Sequence, residues 1–89
     1  MSERLIGTVT HYFGGAGVAV ISVTEGGLNQ GDSIHIVGHT SDFVEEVTSM
    51  EVEHQKVQTA RAGDEIAVKV VARVRQHDQV FKVEPTQEP

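Results

Sequence analysis

Two short stretches of this chain are built on one plan, and together they leave it few folds to adopt. Gly31-Asp32-Ser33-Ile34-His35-Ile36 and Gly63-Asp64-Glu65-Ile66-Ala67-Val68 each begin on Gly-Asp and continue with apolar residues at every second position. Glycine accepts the positive φ that a tight turn requires. The aspartate that follows accepts hydrogen bonds from nearby backbone N–H groups and holds the turn. Apolar residues at period two mark a half-buried strand. Leu28 stands three residues before the first glycine and Ala60 three before the second. The expectation is two corners that launch two core strands of a small barrel or sandwich.

The remainder fits an all-β chain. Leu5 to Tyr12 is rich in β-formers, with Leu5, Gly7, Val9 and His11 expected on one face and Ile6, Thr8, Thr10 and Tyr12 on the other. Phe13 to Gly17 reads as a turn, and Val18 to Val23 as a central strand hairpin-paired with the first, apolar on both faces apart from Ser22. Ser33 to Val37 is the third strand. Phe43 to Met50 is a fourth that runs on through His54, with a bulge near Ser49-Met50. Lys56 to Arg61 is expected as an irregular connection. Glu65 to Val71 and Gln79 to Val83 complete the set, joined by the polar segment Arg73 to Asp78. The fold class is therefore all-β, a small closed antiparallel Greek-key barrel of six to seven strands. Residues 1–83 form one domain, and residues 84–89, with two prolines and no large apolar side chain, are expected as a flexible tail.

A chain of 89 residues is sized for one domain. It has no cysteine, so disulfides and thiolate metal sites are excluded. No apolar run approaches the roughly 20 residues that span a bilayer as a helix. The N-terminus lacks the pattern of a signal peptide, and a cytoplasmic location with no membrane partner is expected. The net charge of −6 is unevenly spread. Residues 1–55 carry one base and eight acids (1 − 8 = −7), and residues 56–89 carry six bases and five acids (6 − 5 = +1). A nucleic-acid binder usually has a basic domain, which argues against DNA, but Lys56, Arg61, Lys69, Arg73, Arg75 and Lys82 gather in one half of the sequence.

Motifs for catalysis are lacking. His11, His35, His39, His54 and His77 show no H-x-x-x-H or H-E-x-x-H spacing, so no metal or cofactor is expected. Ser41, His39 and Asp42 are adjacent in one loop, which is not triad geometry. Glu45 and Glu46 are strand neighbours and point to opposite faces. Of Tyr12 and Phe13, one ring is expected to cap the end of the barrel.

The ordered set of pieces resembles domain 2 of the translational GTPases, the β-barrel of elongation factor Tu and its relatives. The matching pieces are Ile6-Gly7-Thr8-Val9, Gly17-Val18-Ala19-Val20, Leu28-x-x-Gly31-Asp32-x-Ile34-x-Ile36, Val47-x-Ser49-Met50 and Ala60-x-x-Gly63-Asp64-x-Ile66-x-Val68. With Gly7 to Tyr12, Gly38 to Phe43 and Arg75-Gln76-His77-Asp78, the chain resembles stand-alone elongation-factor-like proteins, and it is similar to the C-terminal barrel of collagenase-like peptidases. The chain has no G-x-x-x-x-G-K-[ST] loop, so GTP binding is not implied. Factor barrels usually carry an Arg-Gly pair where this chain reads Arg75 to Asp78. The resemblance implies a non-enzymatic binding module for ribosomal RNA, tRNA or a translation protein, and the base-containing C-terminal half supplies Lys56, Arg61, Arg73, Arg75 and His77 as the expected contact residues. The alternative is a protein–protein or self-associating module, ancillary to a separate enzyme and without RNA contact.

Overall fold

A computed structural model describes Ser2 to Glu84, and the described residues contain ten strands and no helix. They are β1 Ser2–Phe13, β2 Val18–Val23, β3 Gly27–Asn29, β4 Ser33–Val37, β5 Asp42–Glu46, β6 Met50–Val52, β7 Gln55–Val57, β8 Thr59–Arg61, β9 Glu65–Lys69 and β10 Gln79–Glu84. Eight form one sheet in the order β5-β4-β10-β1-β2-β9-β6-β7, and β3 pairs with β8. Every pairing is antiparallel.

Both Gly-Asp corners form, and each makes the same two bonds. The Asp32 carboxylate accepts from Asn29 N–H at 2.7 Å, and Asp32 N–H donates to Asn29 C=O at 3.0 Å. The Asp64 carboxylate accepts from Arg61 N–H at 3.0 Å, and Asp64 N–H donates to Arg61 C=O at 3.0 Å. A third corner repeats the device. The Asp78 carboxylate accepts from Arg75 N–H at 2.9 Å, and Asp78 N–H donates to Arg75 C=O at 3.1 Å. The residue before each aspartate has positive φ: Gly31 at 96°, Gly63 at 99° and His77 at 78°. Val74 stands three residues before His77, as Leu28 and Ala60 stand before the glycines, and all three are buried. The corners launch β4, β9 and β10, whose first inward residues are Ile34, Ile66 and Val80, each fully buried.

His77 is thus a corner residue with a side chain where its two counterparts have none. A left-handed backbone costs an L-residue roughly 1–2 kcal/mol, and glycine's extra freedom when unfolded returns part of that. His77→Gly is therefore expected to raise stability by about 0.5 kcal/mol, whereas Gly63→Ala lowers it by roughly 1 kcal/mol. Chemical denaturation of the two variants measures both signs.

β1 departs from simple alternation because it carries two irregularities, one between Leu5 and Gly7 against β10 and one between Val9 and His11 against β2. Each bulge advances the phase by one residue. Ile6 and Val9 are therefore both buried, although strict alternation sets them on opposite faces. His11 and Phe13 turn outward, while Tyr12 packs against the core. The core joins both halves of the sheet, from Ile34, Ile36 and Val80 to Ile21, Ile66 and Val68. Val47 and Met50 belong to it, and Val44 is exposed.

The expected closed barrel of six to seven strands is not found. The large sheet ends at β5 and β7, which do not pair with each other. The chain between β5 and β6 bonds the first corner instead: Val47 N–H donates to Asp32 C=O at 2.8 Å and Val47 C=O accepts from Gly31 N–H at 2.8 Å. The single long fourth strand expected from Phe43 to His54 is broken there. It resumes as the β6–β7 hairpin, which turns on Glu53 (φ 51°) and His54 (φ 66°). Positive φ at both central residues is the geometry that suits a two-residue hairpin, yet neither residue advertises it. Lys56 to Arg61 is not irregular, because it supplies the end of β7 and all of β8. The two corners read as turns pair with each other, Leu28 opposite Ala60, which adds β3 and β8. Of the expected tail, Glu84 lies in β10 opposite Ser2, and residues 85–89 lie outside the described residues.

Candidate binding face

With Ala19, Ile21, Ile66 and Val68 pointing into the core, the residues between them must point out. The register sets His11, Val20, Ala67, Glu51 and Lys56 in one row across five strands. A neighbouring row holds Phe13, Val18 and Lys69. Three contiguous hollows of 410, 500 and 350 Å³ lie along this face. The first is lined by Glu51, Glu53, Asp64 and Glu65 around Val20 and Ala67. The second carries Phe13, Val18, Lys56 and Lys69, and shares Glu51 with the first. Phe13 is 50% exposed and packs against His11 at a tilt of 44°, with ring centroids 4.7 Å apart. Thr10, at the bulge, donates to Glu65 at 3.4 Å.

The contact residues expected from the sequence are only partly brought together. Arg73, Arg75 and His77 are exposed on the one segment between β9 and β10. Arg73 C=O accepts from the Ser41 hydroxyl at 3.5 Å, and Arg75 and His77 belong to the third corner. Arg61 lies on β8, before the start of β9, whereas the Arg73 to His77 segment follows the end of that strand. Lys56 lies on β7 and lines the groove. His11, Phe13, Glu51 and Glu65 are not among the residues the sequence singled out as a contact face. Their signal was Val18 to Val23: a strand apolar on both faces has two faces to cover, and the core covers one.

The loop residues Ser41, His39 and Asp42 do not converge. Ser41 is buried against Arg73, and Asp42 is committed to His35. Glu45 accepts from Val71 N–H at 2.9 Å, and burial raises its pKa despite that bond.

On the outer face of the sheet's other half, His35 sits between two carboxylates. Its Nδ1 is 2.8 Å from Glu3 and its Nε2 is 2.6 Å from Asp42. Both ring nitrogens donate only in the imidazolium. The hydrogen bond to Asp42, then that to Glu3, raises the His35 pKa above 6.5. The clasp ties β1 to β4 and β5 and contributes fully below pH 6.5, the ordinary histidine value. It is lost as pH rises through the elevated folded value. The melting temperature of the parent is expected to exceed that of His35→Gln near pH 6, with the gap closing as pH rises through the elevated folded value. A gap that widens with pH would contradict the clasp.

Open-faced and strand-built, with the same aspartate corner used three times, the molecule is a small antiparallel β module. A family model described as elongation factor Tu domain 2 matches residues 16–77, and the chain belongs to that family. It is 37% identical over 82 residues to an uncharacterized protease of Methanocaldococcus jannaschii, a match that covers 91% of this chain and 20% of that protein. It is 31% identical over 87 residues to a collagenase of Porphyromonas gingivalis, covering 97% of this chain and 24% of the relative. The chain thus spans about a fifth to a quarter of the length of the curated relatives it matches. Its fold matches the crystal structure of the C-terminal domain of a Geobacillus thermoleovorans protein assigned as a U32 peptidase. The TM-score is 0.84 at 18% identity, and the match covers 91% of this chain and 93% of that domain. Both resemblances read from the sequence, to the factor domain and to the collagenase-like barrel, are found.

Proposed function

We propose that this chain is a non-catalytic accessory module of a U32-type peptidase, acting by presenting a surface to polypeptide. The observation that carries this reading is the alignment of 91–97% of the chain with a minor share of a protease and a collagenase. The fold shared with the C-terminal domain of a U32-assigned protein supports it. The test is peptide hydrolysis by a U32-type peptidase lacking its own C-terminal segment, with and without this chain. The expected result is a lower KM with kcat little changed, and no hydrolysis by the chain alone. Hydrolysis by the chain alone, or a KM that ignores it, counts against the reading.

A second reading, contact with ribosomal RNA or tRNA, is favoured by one observation. Arg73 and Arg75 are exposed on the same short segment. Under that reading Arg73→Glu with Arg75→Glu abolishes retention of tRNA on a filter at low salt while the melting temperature holds. Phosphate contacts of this kind weaken steeply with salt.

A further inference from the structure

We propose that the groove across β1, β2, β9, β6 and β7 docks an extended polypeptide segment in which cationic and apolar side chains alternate along the one face turned to the sheet. The inference deepens the accessory-module reading and rests on it. The solvent face of an antiparallel sheet is ordinarily polar, but here Phe13, Val18, Val20 and Ala67 make an apolar strip across three adjacent strands. Among the described residues nothing covers the strip, and its Phe13 is half exposed.

The charges bordering the strip are unevenly spread. Glu51, Glu53, Asp64 and Glu65 surround one hollow, and among the described residues no lysine or arginine lines it. Lys56 and Lys69 border the next hollow, beside Phe13 and Val18, and Glu51 is shared by the two. Among the described residues the ion pairs are His35 with Glu3 and Asp42, and Lys82 with Asp32, so none of those four carboxylates is neutralised by a base. A polyanion such as RNA is repelled from that hollow. A segment with lysine or arginine two residues from leucine or valine satisfies both features, placing its cations on the carboxylates and its apolar side chains on the strip. Side chains of an extended segment that point the same way recur every second residue, so the cations and the apolar side chains take turns at positions i, i+2 and i+4 of one face, and the residues between them point to solvent.

The test is a chemical-shift titration of the ¹⁵N-labelled chain with an acetylated, amidated heptapeptide, Lys-Ser-Leu-Ser-Lys-Ser-Val, which sets its lysines and apolar residues on one face when extended, and with its counterpart in which glutamate replaces each lysine. The lysine peptide is expected to move the amides of His11, Val20, Glu51, Glu65 and Ala67 to saturation, and the glutamate peptide to leave them in place. Glu51→Gln with Glu65→Gln, checked for an unchanged melting temperature, is expected to weaken the lysine peptide by about fivefold or more, the size of two partly exposed ion pairs. Equal responses to the two peptides, no response on this face, or undiminished binding by the double variant overturns the proposal. Failure here with a lowered KM in the peptidase assay removes the groove as the site and leaves the accessory role. A KM that ignores the chain removes the role itself.

Discussion

Gly7→Ala is expected to cost roughly 3 kcal/mol or more, a large share of the roughly 4–13 kcal/mol that a chain of this size has in total. Gly7 lies where β1 pairs on both sides, with Val80 of β10 and with Val23 of β2. A Cβ there would fall inside contact distance of the Ser22 carbonyl oxygen and lie 3.2 Å from Val23 Cα. Both are backbone atoms, so no rotamer change relieves the overlap. Relief requires parting β1 from β2, and that opens the core over Ile6, Val9 and Ile21. Gly15 is the control, because nothing lies within 4 Å of a Cβ at that position. Urea denaturation of Gly7→Ala and Gly15→Ala compares them directly. A Gly7→Ala midpoint equal to that of the control would show that β1 and β2 do not approach as described.

Gly38→Ala is the second large effect, expected at roughly 2–3 kcal/mol. Here the obstacle is a side chain, the carboxylate of Asp78, which a Cβ at Gly38 would overlap. Asp78 cannot swing away without cost, because it is buried and accepts Arg75 N–H at 2.9 Å. Moving it dissolves the third corner, and with it the conformation of the Arg73 to His77 segment. Asp78→Ala alone loses the corner bond, at about 1–2 kcal/mol. With the carboxylate gone, Gly38→Ala adds little. The double variant is therefore expected to fall well short of the sum of the singles, as contacting residues do in a mutant cycle. Strict additivity would mean that Gly38 and Asp78 do not meet.

Much of this architecture was legible from period-two hydrophobicity. β2 and β4 have the bounds the sequence suggested, and the Leu28 and Ala60 corners form as written. The third corner was hidden because His77 stands where glycine marks the other two, although the spacing Val74-x-x-His77-Asp78-x-Val80 repeats theirs. The outer face was hidden by bulges. A phase shift inside β1 carries no residue signature, and it alone turns His11 and Phe13 outward. The open ends of the sheet depend on where Val47 sends its hydrogen bonds, a choice between corner and strand that local sequence does not encode. The expected contact residues were selected by charge in linear order. Strand β9 then separates Arg61 from Arg73, which only the fold determines.

The accessory role predicts that this domain's partners are proteins held through polypeptide contacts. Affinity capture of the tagged chain from the cells that make it, with and without ribonuclease, tests that claim most directly. The account predicts the same captured proteins, a peptidase among them, before and after digestion. Partners that disappear with the RNA would contradict it.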